Sequence, residues 1–390
     1  MPEAVIVSAV RTPIATARKG TLSETPAEIL ATHILREAIA RSGLPGEQFD
    51  DVILAESFYG GGDLARYAAV AAGFDHLPGV AVNRHCAGSL TTTAMAAAGI
   101  RSGVERAVVA GGVQSSSLSP VVSWRVPGTA EETQTYTAPT FPYTHDATDD
   151  VTLSVGWNVA QKYGVTREEM DAWAVRSHTR AVAAIEAGVF LDELAPIEVT
   201  NRNGDAVNFA VDEHPRRDTT LEKAAALKPL HPEIEGFSIT AANAGGVNDA
   251  AAALAVVADD LATQENLTAL ATIRGWSAVG VDPRLTGTGA IAAISKLLER
   301  TGHSASDIHL WEINEAFASV PVAATKVLGI DDDVVNIYGS GCSLGHPVSA
   351  SGARMLTTLT HELRRRGGGL GIAAMCAGGG QGGAVLIEVS

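Results

Sequence analysis

Short apolar runs alternate with longer alanine-rich segments along most of the chain. Residues 4–7, 52–54 and 107–110 are short runs rich in β-branched residues, which is typical of strands buried on both faces of a sheet. Residues 27–42 place apolar side chains at helical spacing. This alternation predicts an α/β fold in which helices cover a largely buried sheet.

The same pattern recurs late in the chain. Residues 49–54 (FDDVIL) are echoed by residues 305–310 (ASDIHL), and residues 106–112 (RAVVAGG) by residues 371–379 (GIAAMCAGG). Between these echoes, a turn that contains Cys86 in the first half, and one that contains His346 in the second, leads into a predicted helix. Ordered echoes of this kind predict two related halves, and chance similarity between alanine-rich segments is the alternative.

The stretch between the two halves, residues 117–245, differs in character. Residues 129–150 are rich in threonine, proline and acidic residues and predict a long irregular segment. A helix is predicted from Arg167, with Thr166 as its N-cap and Glu169 completing a capping box. Because long loops in compact proteins usually carry function, we expect this insertion to cover a substrate. The predicted units are a first half formed by residues 1–116 and 246–266, a loop domain at 117–245 and a second half at 267–390.

Composition and charge exclude several classes of protein. The 390 residues are 46% hydrophobic and 18% charged, as in a globular protein with a large core. The net charge of −16 disfavours nucleic acid as a partner, and the one basic run, 364–366, is expected at a solvated helix end. No secretory signal or long apolar segment is found, so we expect a cytoplasmic location without membrane insertion.

The three cysteines do not form a recognised structural motif. Cys86, Cys342 and Cys376 are widely spaced, with no cysteine and histidine cluster at the spacing of zinc ligands. Neither a disulfide scaffold nor a structural zinc site is therefore expected.

Four polar side chains follow predicted strands and precede small residues: Cys86, Asn314, His346 and Cys376. Catalytic groups of α/β proteins collect at the carboxyl ends of strands. A cysteine at a helix N-terminus can form a thiolate, and a nearby histidine can accept its proton. A buried cysteine is more often a packed apolar group. The residues alone therefore leave Cys86 open as a packed thiol, a redox group or a nucleophile.

The combination of four motifs is similar to that of the thiolase family. In the family's order, the chain carries NRHCAG at 83–88, NEAFA at 314–318, GHP at 345–347 with ASGAR at 350–354, and CAGGGQG at 376–382. The resemblance extends from residue 5 to residue 388. It implies two similar α/β halves that form a five-layered αβαβα core, with the loop domain inserted over the active site.

The resemblance implies acyl transfer between CoA thioesters through an acyl-cysteine. Cys86 would accept the acyl group after His346 has removed its proton, and Cys376 would move a proton on the α-carbon of acetyl-CoA. Asn314 would hold a water that stabilises one oxyanion together with His346. The backbone N–H groups of Cys86 and Gly378 would form a second oxyanion hole. No metal or cofactor is implied, because CoA, acetyl-CoA and acyl-CoA are substrates.

The chain departs from the common pattern of the family at several positions. Common thiolases carry Met-Glu-Ser-Met after the Gly-Gly pair, where residues 113–116 read VQSS. Val151 and Thr152 stand in place of the His-Met pair of members that form acetoacetyl-CoA, which disfavours that synthesis as the main reaction. Gly245 replaces a serine that approaches the pantetheine of CoA. Arg216 matches a position that meets the CoA nucleotide, and a solvated surface arginine is the alternative.

Further expectations concern substrate choice and assembly. We expect Phe317 to contact the substrate. The glycine run at 60–62 and the helix that contains Arg66 occupy the region that faces the partner in family dimers, so a homodimer or homotetramer is expected. Aromatic residues of the insertion suggest a wider acyl pocket: Trp124, Tyr136, Phe141 and Tyr143.

Three residues near the motifs have no catalytic assignment. Cys342 is interpreted as a packing residue, because the family usually has an aliphatic residue there. Arg84 stays unassigned, and His85 is expected to support the site rather than act as its base.

The favoured function is thiolytic cleavage of a 3-ketoacyl-CoA to acetyl-CoA and a shortened acyl-CoA, as in the β-oxidation of lipids, or the reverse Claisen condensation. One rival is a decarboxylating condensing enzyme of the ketosynthase type, which the GHP motif and the second cysteine at 376 argue against. The other is a catalytically silent thiolase-like protein that binds CoA, which the intact set of four polar residues argues against.

Overall fold

The computed structural model describes residues 1–57, 59, 62–121, 123–133 and 150–390, with only the backbone of residues 124 and 133. Tyr136, Phe141, Tyr143 and the side chain of Trp124, predicted to line a wider acyl pocket, lie outside the described residues. So do residues 60 and 61 of the glycine run. Within the described part of the chain, none of the helices combines the length and the apolar character needed to cross a membrane.

The described strands are β1 (Ala4–Arg11), β2 (Ala15–Thr16), β3 (Asp51–Ala55), β4 (Gly79–Val82), β5 (Ala107–Gln114), β6 (Trp124–Arg125), β7 (Glu132–Thr133), β8 (Ile197–Thr200), β9 (Ala206–Phe209), β10 (Asn248–Ala258), β11 (Ala271–Gly280), β12 (Leu310–Ile313), β13 (Gly369–Ala377) and β14 (Gln381–Val389).

The described α-helices are α1 (Ala27–Ser42), α2 (Leu64–Ala72), α3 (Gly88–Ser102), α4 (Asn158–Tyr163), α5 (Arg167–Glu186), α6 (Leu221–Ala225), α7 (Asp259–Gln264), α8 (Gly289–Thr301), α9 (Ser319–Leu328) and α10 (Ser351–Arg365). A π-helical turn (Thr152–Trp157) precedes α4, and short 3-10 turns lie at Gly46–Gln48, Pro283–Thr288, Ala305–Asp307 and Asp332–Val334.

The large sheet is mixed, and its two ends have the same construction. Its order is β12-β13-β14-β11-β1-β10-β5-β3-β4, with β2 paired to β10. β3 runs parallel to β5 as β12 runs parallel to β13, and β5 pairs antiparallel with β10 as β13 pairs with β14. The halves join where β1 meets β11, through Val5 opposite Thr272 and Ile6 opposite Ala271. The predicted repeat is therefore confirmed, since equivalent strands occupy equivalent places.

The helices complete five layers. α1 and α2 cover the outer face of the first half, where α1 contacts β1, β5 and β10. α8 covers the outer face of the second half, and α9 packs on α8. α3 and α10 lie between the halves, contact each other and touch strands of both. This arrangement is the αβαβα core that the resemblance implied.

Local sequence signals correctly predict several element boundaries. α1 covers the predicted residues 27–42, and α5 begins at Arg167. The capping box is present, because the Thr166 side chain accepts from the Glu169 N–H and the Glu169 carboxylate accepts from the Thr166 N–H. The basic run 364–366 is exposed at the end of α10, as predicted.

The two central helices approach too closely for larger residues at their contact. A Cβ built at Gly352 would lie 2.7 Å from the Leu90 backbone nitrogen, a distance that real side chains do not adopt. Beside it, the Ala353 N–H donates to Ser89 Oγ at 3.0 Å. Because α3 follows the Cys86 turn and α10 follows the His346 loop, this contact sets the spacing of the two motifs.

A buried ion network ties the loop domain to β1. Arg11 Nε donates to Glu193 at 2.6 Å, and both terminal nitrogens of Arg11 donate to Asp212, at 2.7 and 2.9 Å. All three side chains are buried, so removing one partner would leave an uncompensated charge in the interior, a loss of about 3–5 kcal/mol. The predicted division into three units stays a prediction.

Candidate active site

The turn that carries Cys86 lies between the end of β4 and the start of α3. Asn83 Oδ1 accepts the His85 N–H at 2.9 Å, and Ser57 Oγ donates to the His85 carbonyl at 2.9 Å. His85 has a φ of 44°, a left-handed conformation that few non-glycine residues adopt. Contacts on both sides of His85 therefore hold the backbone that presents Cys86.

Two backbone N–H groups point toward the Cys86 sulfur. One belongs to Gly378 and the other to Cys86 itself, and both favour the thiolate. Burial outweighs them and raises the pKa of the Cys86 thiol to about 11. The resting residue is therefore a thiol with two donors already aimed at its sulfur.

The neighbours of Cys86 support this turn. The segment that contains Gly378 packs on His85, because a Cβ built at Gly378 would lie 3.3 Å from His85 Cγ. Arg84 donates to Thr91 Oγ1 in the first turn of α3, at 3.2 Å. His85 thus lies beside the site, as expected.

Cys376 lies near the end of β13 and belongs to the same site. Its side chain is 1% exposed. Burial raises the pKa of the Cys376 thiol, and the charge that Cys86 would carry as a thiolate raises it further. The two thiols are therefore close enough that ionising one disfavours ionising the other.

Asn314 directly follows β12 and points toward His346. Its backbone N–H donates to the Ala374 carbonyl at 3.0 Å, and its side-chain nitrogen lies 3.3 Å from His346 Nδ1 and 3.5 Å from Nε2. Asn314 Oδ1 is buried and has no hydrogen-bond partner among the described residues. A buried acceptor of this kind can hold a water or a polar substrate atom.

Ser351 holds the imidazole of His346 in place. His346 Nδ1 lies 2.7 Å from Ser351 Oγ, which also lies 3.0 Å from the Pro347 carbonyl. When the serine proton is donated to that carbonyl, Nδ1 carries the imidazole proton and Nε2 the lone pair. Burial, together with the charge of Arg354, lowers the pKa of His346 to about 4. His346 is a neutral imidazole near pH 7 and can accept a proton at Nε2.

The Arg354 charge belongs to a buried cluster that the sequence motifs did not predict. Its guanidinium donates to Glu312 at 2.7 Å and to Ser340 Oγ at 2.6 Å. Burial raises the pKa of Glu312 to about 7 against the opposing effect of Arg354. Arg354 lies within the ASGAR motif, but its partners Glu312 and Ser340 lie outside that motif.

Glu315 was also overlooked, although it stands inside the NEAFA motif. Its buried carboxylate accepts from Trp173 Nε1 at 2.8 Å, Ser177 Oγ at 2.6 Å, Asn336 Nδ2 at 2.9 Å and the Cys342 N–H at 3.1 Å. These four bonds fix the backbone next to Asn314. Cys342 is fully buried in the core of the second half, which agrees with its interpretation as a packing residue.

Two predicted CoA contacts lie on the loops that face this core. Arg216 is exposed, and its guanidinium lies 3.1 Å from His178 Nε2. Burial and the Arg216 charge lower the pKa of His178 to about 3, so the histidine does not compete for an anion. Gly245 donates to the Ala316 carbonyl at 2.9 Å, and a Cβ there would lie 2.9 Å from the Glu315 carbonyl. A serine would not fit at this position without a shift of the backbone.

The other predicted substrate contacts surround the π-helical turn. Phe317 is buried, and a Cβ built at Gly156 would lie 3.0 Å from its ring. Val151 is 51% exposed, and the Thr152 hydroxyl donates to Asp150 at 2.6 Å. Their contact with substrate stays a prediction. In the described residues, no group of three or more His, Cys, Asp and Glu side chains could hold a metal ion.

Two family models cover nearly the whole chain. The model described as "Thiolase, N-terminal domain" matches residues 4–260, and the model described as "Thiolase, C-terminal domain" matches residues 267–389.

Curated relatives and solved structures align over the full length. An acetyl-CoA acetyltransferase of Pseudomonas aeruginosa is 38% identical over 396 residues, with 99% of each chain covered. One of Escherichia coli is 38% identical over 395 residues, covering 100% of this chain and 99% of that protein. The crystal structure of the Bacillus anthracis acetyl-CoA acetyltransferase has a TM-score of 0.92 at 40% identity, and that of human mitochondrial 3-ketoacyl-CoA thiolase 0.90 at 33%. Both structural alignments cover 100% of this chain and 99% of the other.

The thiol state of Cys86 predicts how its alkylation depends on pH. Because only the thiolate reacts and burial holds the pKa of Cys86 near 11, the rate with iodoacetamide should rise roughly tenfold per unit from pH 7 to about 9.5. Mass spectrometry of the peptide that contains Cys86 gives this rate, and buried Cys342 serves as the internal reference. A plateau below about pH 8 would show a preformed thiolate and contradict the prediction.

Proposed function

The chain belongs to the thiolase family and is an acyltransferase, and from this premise we propose that Cys86 is its acyl acceptor, His346 its base and Cys376 its second acid and base. One observation carries the proposal: the backbone N–H groups of Cys86 and Gly378 both favour the charged form of the Cys86 sulfur, and the Cys376 thiol is close enough to feel that charge. An acyl group on that sulfur would place its carbonyl oxygen against these donors. A packed or purely structural cysteine needs neither of these features.

In the first half-reaction, the Cys86 sulfur attacks the 3-keto carbonyl of a 3-ketoacyl-CoA while His346 Nε2 takes the thiol proton. The bond between the α- and β-carbons then breaks, and its electron pair goes to the α-carbon of acetyl-CoA. Cys376 gives its proton to that carbon. The products are acetyl-CoA and acyl-Cys86, with His346 protonated and Cys376 as the thiolate.

In the second half-reaction, a CoA thiol gives its proton to the Cys376 thiolate and attacks the acyl-Cys86 thioester. The acyl group leaves as a shortened acyl-CoA, and protonated His346 returns its proton to Cys86. Every group is restored to its starting state. The lowered pKa of His346 and the raised pKa of both thiols mean that the resting site holds a neutral imidazole and two protonated thiols, which are the states that the first step requires.

Two different oxygen anions must be stabilised during the cycle. The N–H groups of Cys86 and Gly378 would stabilise the tetrahedral anion on the acyl group, at roughly 3–4 kcal/mol per donor. The enolate oxygen of acetyl-CoA would face His346 and a water held by Asn314, whose buried Oδ1 accepts no hydrogen bond from the described residues. The exposed Arg216 would meet a phosphate of CoA, with Gly245, Thr152 and Phe317 along the rest of the ligand.

Variants of the two thiols separate the half-reactions. We expect Cys86→Ala to abolish the acyl-enzyme and to lower turnover by roughly a thousandfold or more. Cys376→Ser should spare acetylation of Cys86 by acetyl-CoA more than thiolysis, which should fall by roughly 10²–10⁴-fold. Acetylation needs Cys376 only to protonate the thiolate of the leaving CoA, whereas thiolysis also needs it to protonate carbon. Mass spectrometry of the trapped enzyme locates the acyl group. An acyl group on Cys376 instead of Cys86 would refute the assignment.

We propose that the preferred substrates are 3-ketoacyl-CoA thioesters longer than acetoacetyl-CoA, as in the chain-shortening step of lipid β-oxidation. The support is Val151 and Thr152, which stand where members that form acetoacetyl-CoA carry a His-Met pair. Thiolysis rates for a series of chain lengths, followed by loss of the magnesium–enolate absorbance, should peak beyond four carbons. A maximum of the thiolysis rate at acetoacetyl-CoA, the outcome suggested by the names of the bacterial relatives, would contradict this proposal.

We also propose that the protein is a homodimer joined at the edge strand β4. β4 pairs only with β3 in the described sheet, and apolar side chains beside it are exposed, with Val80 at 37%, Tyr67 at 50% and Met95 at 42%. An unpaired edge of this kind favours pairing with a second copy. Light scattering that gave the mass of one 40.2 kDa chain would contradict the dimer. The cytoplasmic location stays a prediction that cell fractionation can test.

A further inference from the structure

Ser349 connects the loop that carries His346 with the first half of the chain. It follows His346 by three residues and is fully buried. Its Oγ accepts the Ser57 N–H at 2.7 Å and donates to Gln114 Oε1 at 3.1 Å. Ser57 follows β3 and Gln114 ends β5. One side chain of the second half therefore binds the ends of two neighbouring strands of the first.

The same hydrogen bonds continue to the Cys86 turn. Ser57 Oγ donates to the His85 carbonyl at 2.9 Å, and the Ser57 carbonyl accepts from Asn83 Nδ2 at 3.3 Å. His85 is the left-handed residue directly before Cys86. A strained conformation persists only where surrounding contacts hold it, and Ser57 supplies one of these contacts. The chain of bonds thus runs from Gln114 through Ser349 and Ser57 to His85.

The backbone around Ser349 leaves little freedom for movement. A Cβ built at Gly112 would lie 1.9 Å from the Ser349 carbonyl oxygen, so the two backbones are in direct contact. Gln114 stands where common thiolases carry a glutamate, and its side chain is buried. The neutral amide gives the Ser349 hydroxyl an acceptor without adding a negative charge to this buried network.

We propose that Ser349 is a positioning residue that sets the Cys86 sulfur relative to the His346 base. The inference rests on the roles proposed for Cys86 and His346. Because these two residues come from different halves, only contacts between the halves fix their separation. Ser349 is continuous with the His346 loop through the backbone and with the Cys86 turn through hydrogen bonds, so it transmits the position of one to the other.

The test compares Ser349→Ala with Ser42→Ala, a matched control in α1. The Ser42 hydroxyl is also buried, accepts a backbone N–H from Leu44 and donates to the Ile39 carbonyl. Both variants should therefore lose similar stability in urea unfolding. Rapid-quench mass spectrometry with acetyl-CoA should show Cys86 acetylation slowed about tenfold or more in Ser349→Ala, with KM changed less than about threefold. In Ser42→Ala the acetylation rate should stay within about twofold of the parent protein.

A double-mutant cycle tests whether the bonds act as one chain. If Ser349 acts through Ser57, Ser57→Ala combined with Ser349→Ala should be no slower than the slower single variant. Effects that multiply, or an acetylation rate in Ser349→Ala within about twofold of the parent, would overturn the inference.

Alkylation of Cys86 separates this inference from the proposed function. Iodoacetamide needs no acyl transfer, and at pH 8 it should react several-fold more slowly with Ser349→Ala, because a relaxed turn no longer aims the two N–H groups at the thiolate. A parent protein that is never acylated at Cys86 would refute the proposed function, while the alkylation comparison would still decide the role of Ser349. Equal alkylation rates in the parent protein and in Ser349→Ala would overturn the positioning role of Ser349.

Discussion

The close contact between the two central helices is the constraint on which the site depends. Cys86 precedes α3 and His346 precedes α10, so the distance between nucleophile and base is a distance between halves of the chain. The close approach of Gly352 to Leu90 and the hydrogen bond from Ala353 to Ser89 allow the two helices only one packed arrangement. Closely packed interiors deform little, and the geometry of the chemistry is therefore inherited from the middle layer of the fold.

Burial keeps the reactive groups uncharged until a substrate arrives. Both thiols have raised pKa values and His346 has a lowered one, so the resting site holds no ion pair between sulfur and imidazole. The donors of Cys86 and Gly378 are nonetheless already aimed at the sulfur. Preorganised dipoles of this kind stabilise charge when it forms without the cost of reorientation. The site is thus suited to forming short-lived anions rather than storing one.

Local signals in the sequence predicted much of the fold and the chemical groups of the site. α1 and the capping box of α5 depend on neighbours in sequence, and the repeated halves depend on segments that recur along the chain; all three predictions are confirmed. The hydrogen bonds to Glu315 and those of Ser349 join residues that are far apart in the chain. Periodicity and motif spacing do not predict such contacts. The left-handed His85 has the same origin, because an isolated histidine would not choose that conformation.

The place of β10 in the sheet determines when the first half can fold during synthesis. β10 lies between β1 and β5 and pairs with both, yet the ribosome makes it only after the whole loop domain. Until then, β1 and β5 have no partner at their facing edges, and the backbone N–H and C=O groups of those edges stay unpaired. The nascent chain must therefore avoid aggregation over the time needed to translate more than a hundred further residues. The strand order that builds a rigid active site thus also leaves an unpaired sheet edge in the growing chain until β10 has been made.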